Sequence, residues 1–385
     1  MAKRFIAAAT LFTLISFTGC RKDTVQVVPK MPTVVVPTVD AASVNANELG
    51  RVPIVMYHDV NDVKVGKDTK MNRTKASFLN DLDYLHKNDF YPVTLRSFVD
   101  GSMDVPAGKS PVVITFDDAR ETQFRLLEQE NTYTVDPESA YGMMEGFCKD
   151  HPEWKPVATF FVLPKSAKTR EPFGQTGLGD DKIQYLLSKS CEIGNHSLRH
   201  KSFSRMDVKE LQDELSKAQE AIKSYVSQVE ITSLATPYGV YPRNKAEWKY
   251  LLEGKGVGGA YSHTAVCQAA WRPTLPPAAK GFNPLRMDRI TPEDVKFGLK
   301  YWVDTLTSGR MSRYISDGDT SIVSYPKLDA SNANTALLKQ KGKTVNAYGG
   351  GGAAGGKKII GVTDPGSAAS RIAEPTSKPI SGSGK

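Results

Sequence analysis

From Pro53 to Ser262, short apolar runs alternate with stretches of helical spacing, and several of the runs end in polar or ionisable residues. This alternation leaves few folds open, because strands separated by helices pair in parallel and use those helices to cover the sheet. Pro111–Phe116 is a β-branched run of the kind a strand buried on both faces requires. Pro53–His58, Thr159–Leu163, Cys191–Gly194, Ile231–Ala235 and Gly259–Ser262 read as further strands, and another begins at Val93. Lys75–Asn88 places Phe78, Leu82 and Leu85 on one stripe, and Asp207–Tyr225 does the same with Leu211, Leu215, Ala218 and Ile222. Leu95–Asp100, Asp181–Lys189 and Lys245–Glu253 complete the expected helices. The expected class is α/β, a parallel sheet with helices outside, either open or closed into a barrel.

In such a sheet the chemistry gathers at the C-terminal ends of the strands. Those ends are Tyr57-His58-Asp59, Asp117-Asp118, Asn195-His196 through His200, and Thr236-Pro237-Tyr238-Gly239. Adjacent residues leaving a strand point in different directions, so one carboxylate of Asp117-Asp118 can bind a metal while the other faces a substrate. An acidic pair after a strand also suits a helix N-cap. The spacing of His196 and His200 predicts both imidazoles on one side of a helical turn. Two His and one carboxylate suit Zn2+ with a position left for water, or Fe2+.

The net charge of +8 sits at the two ends of the 385-residue chain. Residues 1–19 carry +2, residues 20–50 are balanced and residues 342–385 carry +4, which leaves only +2 for residues 51–341. A nucleic-acid binder needs its positive charge on the folded surface, so that class is excluded. Lys3 and Arg4 precede the apolar run Phe5–Phe17, too short to span a bilayer comfortably, and Phe17-Thr18-Gly19-Cys20 follows. This resembles a bacterial lipobox. The resemblance implies a lipoprotein signal peptide over 1–19 and a lipid on Cys20, which tethers the protein to a membrane of the cell envelope outside the cytoplasm. With Arg21 next, the outer membrane is expected in a cell with two. No other apolar run is long, so a polytopic membrane protein is excluded. Residues 20–50, with alternating Val and Pro, read as a tether, and residues 342–385, with 11 Gly, as a disordered basic tail. The folded part is then 51–341, with a monomer as the default. Cys148, Cys191 and Cys267 allow one disulfide at most and read as buried thiols.

Taken in order, Thr115-Phe116-Asp117-Asp118, His196-Ser197-Leu198-Arg199-His200 and Thr236-Pro237-Tyr238-Gly239 resemble the motifs of the NodB-type polysaccharide deacetylases, carbohydrate esterase family 4. Val55-Met56-Tyr57-His58-Asp59, Ala158-Thr159-Phe160-Phe161-Val162 and Glu192-Ile193-Gly194-Asn195 extend the resemblance over about 55–290. The early Tyr57-His58 is similar to the branch that includes the poly-β-1,6-N-acetylglucosamine deacetylases. The resemblance implies a distorted (β/α) barrel as a single catalytic domain. It implies one divalent ion, zinc by default, on Asp118, His196 and His200. It also implies Asp117 as general base and the Tyr238 backbone N–H in an oxyanion hole. The substrate implied is an N-acetylated polysaccharide, deacetylated by a metal-activated water.

Two positions depart from the family pattern. Ala235 stands where an Arg normally orients the base, and Arg289, in Met287-Asp288-Arg289-Ile290, is the candidate substitute. The late Leu-x-His that normally supplies the general acid is missing, and His58 is the expected replacement, with His263 as second choice. His86 and His151 are expected to be solvated. Arg120–Val157 is an insertion whose Tyr133, Tyr141, Phe147 and Trp154 are expected mainly to pack a helix, Glu138–Cys148, onto the barrel, with Met143 and Met144 in the core. Pro237, Tyr238 and Trp271 are the candidate substrate-binding residues, Trp271 by stacking on a sugar. The expected activity is N-deacetylation of poly-N-acetylglucosamine, peptidoglycan or a chitin-like polymer, with O-acetyl esters left open. The alternative is a surface glycan-binding lipoprotein on a deacetylase fold that has lost catalysis.

Overall fold

The computed structural model describes residues 39–62, 68–130, 132–164, 171–269 and 272–349. The expected signal peptide, Cys20, most of the tether and most of the tail lie outside them. Eight parallel strands build the centre: β1 Ile54–Tyr57, β2 Phe90–Val93, β3 Ser110–Asp117, β4 Thr159–Val162, β5 Glu192–Asn195, β6 Ser233–Ala235, β7 Ala265–Ala269 and β8 Met287–Arg289. Their order is β1-β3-β4-β5-β6-β7-β8, with β2 off this path on β3. Beyond β8 the Ile290 N–H donates to the Ile54 carbonyl at 2.8 Å, and the Met56 N–H donates to the Ile290 carbonyl at 2.9 Å. These two bonds return β8 to β1 and close the ring. Val113 pairs with Ile54 on one edge of β3 and with Val93 on the other, so β2 sits beside the ring instead of within it. The result is a distorted (β/α) barrel.

All eight residues of β3 are buried, as its β-branched run requires. Helix α1, Lys75–Lys87, is capped by Thr74, whose hydroxyl accepts from the Ser77 N–H, and buries Phe78, Leu82 and Leu85. The further helices, apart from the single turn Lys249–Leu252, are α2 Leu95–Asp100, α3 Ala140–Asp150, α4 Gly179–Ser188, α5 Val208–Lys223, α6 Leu299–Thr307 and α7 Thr335–Gln340. Asp207 and Glu210 start α5 with a reciprocal capping box.

Three elements differ from the sequence expectation. The strand expected to begin at Val93 ends there. Gly259–Ser262 is not a barrel strand but half of an antiparallel hairpin with Glu253–Gly256, packed against α5. The barrel strand is β7, whose Ala265–Gln268 are buried, whereas the hairpin is largely half-buried or exposed. Short apolar runs do not separate these two cases, because only tertiary burial distinguishes them. The helix expected over Lys245–Glu253 is two separate turns, Lys245–Glu247 and Lys249–Leu252.

The boundaries move as well. Asn47 bridges to Ile315, the Glu48 N–H donates to Ser324, and Ala46 and Leu49 are buried, so the folded part begins before residue 51. At the other end Thr344–Tyr348 pairs in parallel with Ile322–Pro326, so it extends past residue 341. Burial, with the nearby Asp317 charge, pushes the Glu48 carboxyl up to about 8. Tyr141, Trp154, Met143 and Met144 of the insertion are buried and Tyr133 is exposed. The insertion also contains a hairpin, Leu126–Gln129 with Thr132–Val135, that the sequence did not suggest. Cys191 and Cys267 are buried free thiols and Cys148 is a half-buried one.

Candidate active site

Asp117 is the last residue of β3, and its neighbour Asp118 turns off the strand with φ 79°. His196 follows β5 directly. His200 lies four residues on, in a loop rather than the helical turn its spacing suggested. Ser197 (φ 68°) and His200 (φ 55°) are left-handed there, which bends the chain back and brings the second imidazole to the first. Asp118 Oδ1 lies 3.4 Å from His196 Nε2 and 3.6 Å from His200 Nε2. Ligand atoms at zinc bond lengths of about 2.0–2.1 Å on a tetrahedron stand about 3.4 Å apart. Both separations from Asp118 therefore match edges of a zinc polyhedron.

Hydrogen bonding agrees with a cation at this point. A carbonyl only accepts, so His196 Nδ1 carries the proton that bonds the Ala235 carbonyl at 2.9 Å, and Nε2 presents its lone pair inwards. That Nε2 and Asp118 Oδ1 are buried with no hydrogen-bond partner. Two orphaned polar atoms facing each other in a buried cradle are costly unless an ion joins them. Burial and the neighbouring His196 push His200 down to about 4, which keeps it in the neutral form a ligand needs. In His196, burial works downward, but Asp117 and Asp118 outweigh it and raise the pKa. A cation in the cradle would take the place of that proton.

Asp117 has a different environment. Arg289, at the end of β8 and 1% exposed, forks onto it: Nη1 donates to Oδ1 and Nη2 to Oδ2, both at 2.7 Å. Burial alone would raise the Asp117 carboxyl; Arg289, with His196 and His58 behind it, reverses this and holds it below the usual carboxylate range. Ala235 thus leaves no gap, because the guanidinium arrives from another strand. His58, next to β1, has Nε2 4.0 Å from Asp117 Oδ2 and an unpartnered buried Nδ1. Burial lowers its pKa, against the pull of Asp117 and Asp118. His263 is engaged elsewhere, donating from Nδ1 to Leu251 at 2.8 Å, with Nε2 3.5 Å from Asn195 Nδ2. Tyr238, after β6, has φ 59° and a ring that is 62% exposed, with its centroid 4.6 Å from that of His200. Pro237 is buried in the same turn and offers no open face. Trp271 lies outside the described residues.

Two residues here had no signal in the sequence. Arg120 donates to Asp118 Oδ2 through Nη2 at 2.6 Å and also pairs with Asp59. The buried Gln123 donates from Nε2 to the Asp117 carbonyl at 2.5 Å and to the His58 carbonyl at 3.0 Å, tying two strand ends together. Both come from the start of the insertion. Eleven non-glycine residues have positive φ among those described, and Asp118, Ala119, Ser197, His200 and Tyr238 are five of them. Backbone strain of this kind persists where surrounding contacts over-determine it, and it concentrates at functional sites.

The polysaccharide deacetylase family model matches residues 153–251, the stretch that holds His196, His200 and Tyr238. Among solved structures, the chain is similar to a polysaccharide deacetylase from Bacillus cereus, with 15% identity, a TM-score of 0.48, and coverage of 65% of this chain and 67% of that one. It is similar to the Streptococcus pyogenes deacetylase PplD, with 14% identity, a TM-score of 0.47, and coverage of 65% and 96%. For IcaB from Ammonifex degensii the identity is 15%, the TM-score 0.45, and the coverage 66% and 97%. The stretch matched by the family model is thus the one whose strand ends carry both histidines, and in that stretch the chain is similar to the polysaccharide deacetylases.

Proposed function

We propose that this protein hydrolyses N-acetyl groups of a polysaccharide containing N-acetylglucosamine, releasing acetate, with one divalent ion held by Asp118, His196 and His200. Zinc is the default ion for that donor set. The observation that carries the reading is the pair of orphaned atoms, Asp118 Oδ1 and His196 Nε2, beside a carboxylate that Arg289 keeps ionised. A divalent ion bound there supplies Lewis-acid polarisation and lowers the pKa of water.

Asp117 accepts a proton from the attacking water as its oxygen adds to the acetamide carbon. The oxyanion that forms meets the Tyr238 backbone N–H, presented by the left-handed turn after β6. Collapse breaks the C–N bond, and the sugar amine must leave with a proton. His58 supplies it. Because burial lowers the His58 pKa, it acquires that proton during turnover, from Asp117, once the two side chains close from their resting 4.0 Å to hydrogen-bond distance. The atoms balance as one water consumed and one amine and one acetic acid formed. The exposed Tyr238 ring, edge-on to His200, supports a sugar at the mouth.

The test is acetate release by the zinc-loaded protein from β-1,4 and β-1,6 N-acetylglucosamine oligomers, with Asp117→Asn as control. Release that requires both zinc and Asp117 is expected, and the preferred linkage identifies the polymer. An O-acetylated oligomer in parallel separates amide from ester hydrolysis. No release from a sample that binds zinc would favour the glycan-binding alternative. The proposal extends to a lipid on Cys20 that tethers the domain to the cell envelope. No helix among the described residues is long and apolar enough to cross a membrane. Cys20→Ala is expected to move the exported protein from the membrane pellet to the soluble fraction; retention in the pellet would refute the anchor.

A further inference from the structure

A second group of metal-ligating side chains lies outside the barrel. His86, in the last turn of α1, meets His151, which caps α3, and Glu153 two residues beyond. The sequence suggested that both histidines were solvated. Instead their ring centroids are 4.2 Å apart, and His86 Nε2 lies 2.5 Å from Glu153 Oε1. One ligand atom from each of the three falls within 4.8 Å of the others. The rings are seated on aromatic walls. Phe147 packs on His151 at 4.3 Å, and Trp154 packs edge-on against His86 at 5.6 Å and tilted against Phe147 at 5.2 Å. Trp154 is itself fixed, because its indole N–H donates to the Phe90 carbonyl at 2.9 Å.

We propose that His86, His151 and Glu153 form a second site for a divalent late first-row transition ion, zinc or its neighbours, that staples the insertion to α1. Two imidazoles and one carboxylate are a donor set for such ions, and a partly exposed edge leaves room for water as the fourth ligand. A tetrahedral ion needs ligand atoms about 3.4 Å apart, so His86 Nε2 and Glu153 Oε1, now at hydrogen-bond distance, must open by about 0.9 Å to admit it, within the reach of side-chain torsions on a helix end and a turn. An ion here bridges α1 to the segment that leaves α3. It therefore cross-links the insertion to the body of the protein, at a place where no disulfide is formed. The site takes no part in hydrolysis and does not depend on the barrel ion.

The experiment is zinc stoichiometry by elemental analysis of the full chain after equilibration at micromolar free zinc. The variants are His151→Ala, His86→Gln, Asp118→Asn, and Asp118→Asn combined with His151→Ala. Two ions per chain are expected in the wild type, one in each single variant and none in the combination. Zinc is further expected to raise the melting temperature of Asp118→Asn and to leave that of the combination unchanged. One ion lost only with Asp118→Asn would overturn this proposal and leave the barrel site standing. One ion lost only with His151→Ala or His86→Gln would overturn the barrel reading and leave this proposal standing. A second ion indifferent to His86 and His151, or one that binds only at millimolar zinc, would be adventitious and would also overturn the staple.

Discussion

The protein holds two clusters of imidazole and carboxylate, and their surroundings differ. In the barrel mouth, Asp118 and His196 are buried, His196 is set by a bond to a strand carbonyl, and Asp117 is held by a buried guanidinium. On the outside, the His86 and Glu153 side chains are 22% and 54% exposed, and aromatic packing with the exposed His86–Glu153 contact orients the rings. In the inner cluster Asp118 Oδ1 stands at zinc-polyhedron distances from both imidazoles, whereas in the outer one His86 and Glu153, at hydrogen-bond distance, must open to admit an ion. Preorganisation thus follows from burial and from the hydrogen bonds behind each ligand, not from residue type.

Predictions that separate the two clusters run from large to small. Asp117→Asn removes the proposed general base and is expected to lower acetate release about 10²–10⁴-fold while leaving outer-site zinc in place. Loss of outer zinc in that variant would show the clusters to be coupled. Arg289→Ala leaves a buried carboxylate unpaired and should cost about 3–5 kcal/mol of stability, read from denaturant unfolding. Its pH dependence has a definite sign. Arg289 holds the Asp117 pKa below the ordinary carboxylate value. The stability from this pair is therefore present above the unfolded-state pKa, and it is lost as pH falls through the lowered folded value. Without Arg289 the carboxyl titrates higher, so the acid limb of the activity profile should move up in pH. An unmoved limb would mean that Asp117 is not the base. Arg289→Lys, which keeps the charge and loses the fork, should fall in between.

His200→Ala should abolish zinc retention in the barrel and with it activity, and added zinc should not restore either. Chelation of the wild type should also abolish activity, and here zinc should restore it. His86→Ala is the smallest change. In the absence of metal it should shift stability by no more than about 0.5 kcal/mol, as expected of a surface substitution, and leave acetate release unchanged. An effect on release as large as that of His200→Ala would end the distinction between a working site and a staple.

The barrel-mouth residues were legible in the sequence because each sits within a few positions of a buried apolar run. Such a run marks a strand, and strand ends in a parallel barrel converge. His58, Asp117, Asp118 and His196 could be named in this way, and Arg289 as a candidate. The loop that folds His200 back depends on left-handed residues that carry no glycine to announce them. Arg120 and Gln123 were silent because their partners belong to other segments of the chain.

By itself the chain determined its alternation of strand and helix and the placing of ionisable groups at strand ends, because both follow from local periodicity. Only the tertiary structure decided how the ring closes through Ile290, and that Arg289 takes the place Ala235 leaves. It also decided that Ala265–Ala269 and not Gly259–Ser262 is the barrel strand, and that His86 meets His151 and Glu153. Each of these depends on contacts between residues far apart in sequence, where a side chain's partner is set by packing and not by its neighbours along the chain.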